Sequence, residues 1–309
     1  MTYHDENFGS RIDAASFQQP LKDLAETLAQ KVLREGHRHW NAPAFVTTDI
    51  FVLMRQSMYT NNLLAFINAD ERRESDCYWN PAYTFVAAPL VRSIIDCLYN
   101  ITLILQDPRF YGPAFRKSGF KKELGALDED EKRYGGQANW DAHIREKRSM
   151  LNLAIRQSGL EMASVLTEKP WKTMGKYISE PGPGGTLTSH QVFLKTFTYG
   201  MWREYSAMAH GGFEGLLDAA VYYTSDTLRH EIRPKLDEKF PLMMSLHMFR
   251  GSLIVLCIVT ELQAYFRFDG SNINARIHKV WNALMPVFEV KELYHERYAK
   301  LMNDRGIKP

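Results

Sequence analysis

QVFLKTFTYGMWREYSAMAHGGFEGLLDAAVYYT, residues 191–224, reads as one long helix carrying Arg203, Ser206 and His210 on a single face. A helix turns about 100° per residue, so Arg203 and His210 return to within ~20° of each other, roughly 10 Å apart along the axis. Ser206 falls between them, so a fixed cation, a hydroxyl and a titratable imidazole share one stripe. The flanking Phe193, Phe197, Tyr199, Trp202, Phe213 and Leu216 are large and apolar, as in a helix buried around much of its circumference. Gly211 and Gly212 follow the histidine; glycine in a helix costs about 1 kcal/mol against alanine, which predicts a kink or a close backbone approach there.

Working outward, VAAPLVRSIIDCLYNITLIL in a helix over 83–106 is apolar nearly all round and is expected at the centre of the fold. Arg92, Asp96 and Asn100 interrupt it at four-residue spacing and make a polar stripe in which the first two can pair. The spacing also predicts helices over 17–40, with HRH at 37–39 as its frayed end, and over 44–68 and 140–158. Two long helices, 241–268 and 272–303, close the chain. Segment 109–124 is basic and aromatic, and Pro113 makes it irregular; 125–140 reads as a solvated loop or a helix start. ISEPGPGGTLTS at 178–189 breaks the chain, and Thr188 or Ser189 would cap the helix that follows. Residues 224–241 read as a mixed-charge connector. No stretch alternates as a strand would, and no repeat is visible. The expectation is an all-α bundle of seven to nine helices in one domain: N-terminal helices over 17–124, an insert over 125–189, and the motif helix with C-terminal helices over 190–303.

With 309 residues, 45% hydrophobic and 24% charged, the chain has ordinary globular composition. A net charge of +2 excludes nonspecific polyanion binding by the molecule as a whole. Cys77, Cys97 and Cys257 lie far apart, which argues against a disulfide framework or a zinc site. The polar, acidic start lacks the apolar core of a signal peptide, and the run Ser252–Thr260 is too short to span a bilayer. A soluble, cytoplasmic protein with no membrane partner, no metal and no cofactor is expected.

Cleaving a phosphodiester in RNA without a metal needs a proton shuttle titrating near neutrality and a permanent positive charge for the phosphorane oxygens. His210 and Arg203 are residue types suited to those tasks. The bland alternative is a histidine bonded to a carbonyl and an arginine paired with Glu204 or Asp96. Arg92, Asp96, Asn100 and Ser206 would either complete a composite pocket or form a buried ionic network. Arg116, Lys117, Lys121 and Lys122, interleaved with Phe110, Tyr111, Phe115 and Phe120, could track an RNA backbone or be plain surface. His295, Glu292 and Glu296 read as a solvated face. GPGG at 182–185 lacks the lysine and the strand of a phosphate loop.

The stretch WREYSAMAH resembles the R-x4–6-H signature of the HEPN superfamily, here as Arg203-x6-His210. The pairing of PLVRSIID with YSAMAHGG is also similar to a group of bacterial helical proteins allied to that superfamily. The resemblance covers about 83–106 and 190–220. It implies a metal-independent endoribonuclease of bacterial defence or toxin–antitoxin systems, cleaving RNA, tRNA among the candidates, by 2′-OH attack. Arg203 and His210 match the motif's two members, and Glu204 stands where Asn, Asp or His is usual. It also implies a homodimer that brings two motifs together, and an antitoxin or defence-system partner protein. The alternative is a non-catalytic helical module binding a nucleotide or a protein.

Overall fold

The computed structural model describes residues 14–39, 42–72, 82–182, 184–209, 226–268 and 272–304; the side chains at 14–15, 69–72, 82–83, 226–241 and 288 are outside that description. The chain is all-helical, and no strand occurs among the described residues. Taken in order, the helices are α1 (Ala14–Glu35), α2 (Ala44–Arg72), α3 (Ala82–Gln106), α4 (Pro108–Tyr134), α5 (Ala138–Gln157), α6 (Met162–Leu166) and α7 (Met174–Ser179). Then come α8 (Ser189–Phe193, continuing as Tyr199–Ala209), α9 (Asp226–Phe266), α10 (Ile273–Leu284) and α11 (Phe288–Leu293, continuing as Ala299–Asp304). A π-helical turn joins the two parts of α8 (Leu194–Thr198) and of α11 (Tyr294–Tyr298).

The centre is α3 against α9, with α1, α2, α8 and α10 packed around them. Ile94, Ile95, Leu98 and Ile101 of α3 and Ile254, Cys257, Ile258 and Val259 of α9 are buried, which is why both helices read as apolar all round. Thr84–Gln106 and Leu242–Phe266 are also long and apolar enough to cross a membrane by composition. Their most apolar windows are 67% and 78% buried inside the bundle, as in core helices of a globular fold.

Three expectations change. Segment 109–134 is neither irregular nor a loop, and the turn comes at 135–137: α4 is continuous to Tyr134, because Asp107 caps it by accepting from the Arg109 and Phe110 amides and Pro108 pre-sets the first turn. The connector 224–241 is helical from Asp226 and runs into α9. With α6 and α7 added, and with the expected single helix over 272–303 divided at 285–287 into α10 and α11, eleven helices are described instead of seven to nine. The break at 178–189 holds: Gly184 and Gly185 adopt φ of +96° and +78°, and Thr188 with Gln191 forms a reciprocal capping box for α8. The HRH end of α1 closes as a short 3-10 turn, with His39 edge-on to Phe268 at 5.1 Å.

Helices α4, α5 and α6 carry a separate small core of Leu124, Ile155 and Val165. Arg116 fastens this arm to the body through Asp49, with Nε–Oδ2 at 2.9 Å, and its guanidinium lies 4.5 Å from the Phe45 ring. Gly112 allows the close approach of α4 to α2, since a Cβ there would sit 2.5 Å and 2.6 Å from the two Val46 methyls. Gly112→Ala should therefore lose about 1–3 kcal/mol in chemical denaturation. Gly119→Ala, on the same helix with open space around it, should gain up to about 1 kcal/mol. Equal effects from the two would refute the packing account.

Candidate functional site

The polar stripe of α3 divides between two neighbours. Arg92 pairs with Asp96 one turn on, donates from Nε to Ser206 Oγ at 2.7 Å, and lies 4.2 Å from the Trp202 ring. Trp202 Nε1 in turn donates to Asp96 Oδ1 at 3.3 Å. Arg92, Asp96, Trp202 and Ser206 are thus one clasp between α3 and α8. Asn100 faces elsewhere, accepting from Trp171 Nε1 at 2.9 Å.

Arg203 is exposed on α8, and among the described residues no carboxylate pairs with it. Asp96 is taken by Arg92, and Glu204 turns to α9, where Arg250 Nη1 meets its two oxygens at 3.1 Å and 3.2 Å. His210 lies outside the described residues, as do Gly211, Gly212, Phe213 and Leu216, so the expected Arg203–His210 stripe is described only as far as Ala209.

Arg250 links the surface to a buried chain. Its Nη1 also donates to the Tyr205 hydroxyl at 3.0 Å, and that hydroxyl shares a hydrogen bond with His247 Nδ1 at 2.9 Å. Burial pushes the Tyr205 phenol up to about 12. Burial, and then the charge of Arg250, lowers His247 to about 3. A second buried imidazole, His190, sits between Tyr177 (3.1 Å) and Thr102 (2.9 Å), and burial followed by the charge of Arg297 lowers it likewise to about 3. Both histidines are neutral internal hydrogen-bonding groups.

Beside Arg203 a cleft of about 800 Å³ opens between α8 and α11. Phe197, Met201, Trp202 and Leu293 give it apolar walls, and Ser206 and Arg203 border it on the α8 side. Opposite, Glu289, Glu292 and Glu296 follow at three- and four-residue spacing along one face of α11. With Glu204 and Arg250, the described lining holds four carboxylates against two guanidiniums, a net charge of −2. The two π turns lie at this seam, where Arg297 of α11 stacks 4.0 Å from the Phe193 ring of α8 and pairs with Glu261 at 2.6 Å. A π turn shifts the helix register by one residue, and such turns are frequent beside functional sites.

The basic residues of α4 are mostly engaged in packing. Arg116 is held by Asp49, Lys117 stands 3.7 Å from Glu168, and Lys121 donates to the Glu168 carbonyl at 2.6 Å. Lys122 alone of the four is exposed. Among the described residues no three His, Cys, Asp or Glu side chains are grouped to hold a metal ion. The sequence reading missed Arg250 and Glu289 as site residues. It took Glu292 and Glu296 for a solvated face; they are exposed, and they also wall the cleft. Their three- and four-residue spacing was the available signal, but only the packing shows what that face looks at. Compared with family models, curated proteins and solved structures, the chain matches none of them.

The buried histidines give the fold a pH dependence whose sign follows from their lowered values. An unfolded chain would protonate them near pH 6.5, whereas the folded chain holds them neutral down to about 3. The unfolded state therefore binds more protons in that window. Stability is full above pH 6.5 and falls on acidification, by up to about 1.4 kcal/mol per pH unit for each histidine. Urea denaturation between pH 6.5 and 5 should show this slope, and His247→Leu should roughly halve it. An unchanged slope in the variant would contradict the assignment.

Proposed function

We propose that this chain is a non-catalytic helical module of the HEPN-like type, whose cleft between α8 and α11 receives a positively charged segment of a partner protein. One observation carries the reading: the described lining of the cleft has a net charge of −2, with Glu289, Glu292 and Glu296 in a row facing α8. A like charge held ~8 Å from one carboxylate is repelled by about 0.5 kcal/mol in water and about 2 kcal/mol near a protein surface. Three such carboxylates penalise a phosphate in the cleft and favour a lysine or arginine side chain by similar amounts. The apolar walls at Phe197, Met201 and Leu293 suit the aliphatic stem of such a residue. Isothermal titration with a short lysine-rich peptide should give saturable, salt-sensitive binding that weakens at least ten-fold in Glu292→Gln/Glu296→Gln. Absence of binding, or equal binding by the variant, would end this reading.

A second reading is favoured by Arg203, exposed at the rim and unneutralised by Glu204. In a metal-independent endoribonuclease of HEPN type, His210 would take the proton of the RNA 2′-OH as that oxygen bonds to phosphorus. The 5′-oxygen would leave with a returned proton, and Arg203 would steady the phosphorane oxygens. The clasp would serve by holding Ser206 and the pitch of α8. In that case total RNA is cut in EDTA into 2′,3′-cyclic-phosphate ends, and Arg203→Ala lowers the rate at least 100-fold without changing the melting temperature. Intact RNA under those conditions leaves the binding module alone.

A further inference from the structure

We propose that the outward face of α2 is a self-association surface, pairing in antiparallel register with the same face of a second copy of this chain. The inward face of α2 is spent on the core: Ile50, Met54, Ser57, Asn61, Leu64 and Asn68 are all buried. The opposite face carries Val52 at 53% exposure, Tyr59 at 53%, Leu63 at 45% and Phe66 at 67%. Single exposed apolar residues are ordinary on a protein surface, but four along one helical stripe are not. The neighbouring α3 adds Val86, also 54% exposed, and Gln56 of α2 donates to Ser93 of α3 at 3.1 Å, tying the two helices together beside the stripe.

The order of residues on the stripe selects the occupant. Tyr59 is at its centre. Val52 and Phe66 lie seven positions to either side, and Arg55 and Leu63 lie four to either side. A twofold axis through Tyr59 therefore sets the small Val52 against the large Phe66 of the second copy, and the Arg55 stem against Leu63. Such self-complementarity is what an isologous contact requires. Charge agrees: the described cation on this face, Arg55, is neutralised by Glu26 at 2.5 Å and stacks 4.5 Å from the Tyr59 ring. Two copies can meet without like-charge repulsion. The apolar side chains offer on the order of 400 Å², about half of the ~800 Å² that each partner contributes to a standard interface, and a polar rim of Arg55, Gln56 and their neighbours supplies the remainder. None of the cleft-lining residues belongs to this face. The pairing is thus independent of the function proposed above, and it differs from the motif-to-motif dimer that the family resemblance implies.

Sedimentation velocity on the full chain from 1 to 100 µM should show a concentration-dependent dimer. Phe66→Lys alone and Val52→Glu alone should each weaken it at least ten-fold with unchanged melting temperature, since both side chains are exposed. The double variant should restore it, because each new glutamate then faces a new lysine of the second copy. A full chain that stays monomeric across the range, or a dimer indifferent to Phe66→Lys, overturns the proposal. Failure of the double variant to recover the dimer overturns the antiparallel register.

Discussion

One guanidinium sets the relation between the central helix and the helix that walls the cleft. Arg92 projects from a helix that is apolar nearly all round, where an unpaired charge would cost several kcal/mol. It meets a carboxylate from its own helix, and a hydroxyl and an indole face from α8. Ser206 and Trp202 lie four residues apart on α8, so the clasp fixes both the rotation and the axial position of that helix against α3. Once they face inward, Arg203 and Glu204 must face away from α3, one into solvent and the other toward α9. The same residues that a sequence reading gathers into one pocket are thereby sorted, some into the joint and some into the opening beside it.

The charge of the opening depends on a second pairing. Glu204 is next to Arg203 in sequence and would be its most economical counter-ion. Arg250 takes it instead, and Arg250 is almost fully covered where Arg203 is exposed. The Tyr205 hydroxyl, which also accepts from Arg250, passes the hydrogen-bond chain to His247, so the rotamer of Glu204 is coupled to a buried network. Arg203 is left without a described carboxylate partner as a result, while the wall across from it remains acidic.

The all-α class and the central position of 83–106 were legible because apolar residues there and in 241–268 run nearly all the way round the helix. The cap at Thr188 was legible too, since Thr188 and Gln191 form a local signature three residues apart. Other features were not. Pro113 and the charged run 125–134 look like a break, yet Asp107 and Pro108 start α4, and Leu124 and Leu127 are buried along its second half. The π turns were invisible, because a one-residue register shift leaves no mark in an apolar pattern. The partition of Arg92, Arg203 and Arg250 among Asp96, Glu204 and solvent was equally hidden. Spacing says which side chains share a helix face, and only the neighbours decide which of them is neutralised.

The basic segment of α4 shows the same rule in reverse. Read as a string, Arg116, Lys117, Lys121 and Lys122 with their aromatic neighbours make a plausible track for a polyanion. In the fold, the first three are used where the α4–α6 arm meets the body and where α4 meets the 167–173 segment, and each is matched by a carboxylate or a carbonyl. A cation already paired gains little from a phosphate, because the new attraction must first replace the old one. What remains free to act on a ligand is therefore set less by how many charges the chain carries than by which ones the packing leaves over. By that measure the acidic row on α11 and Arg203 at its edge are where the described surface still has electrostatic work to give.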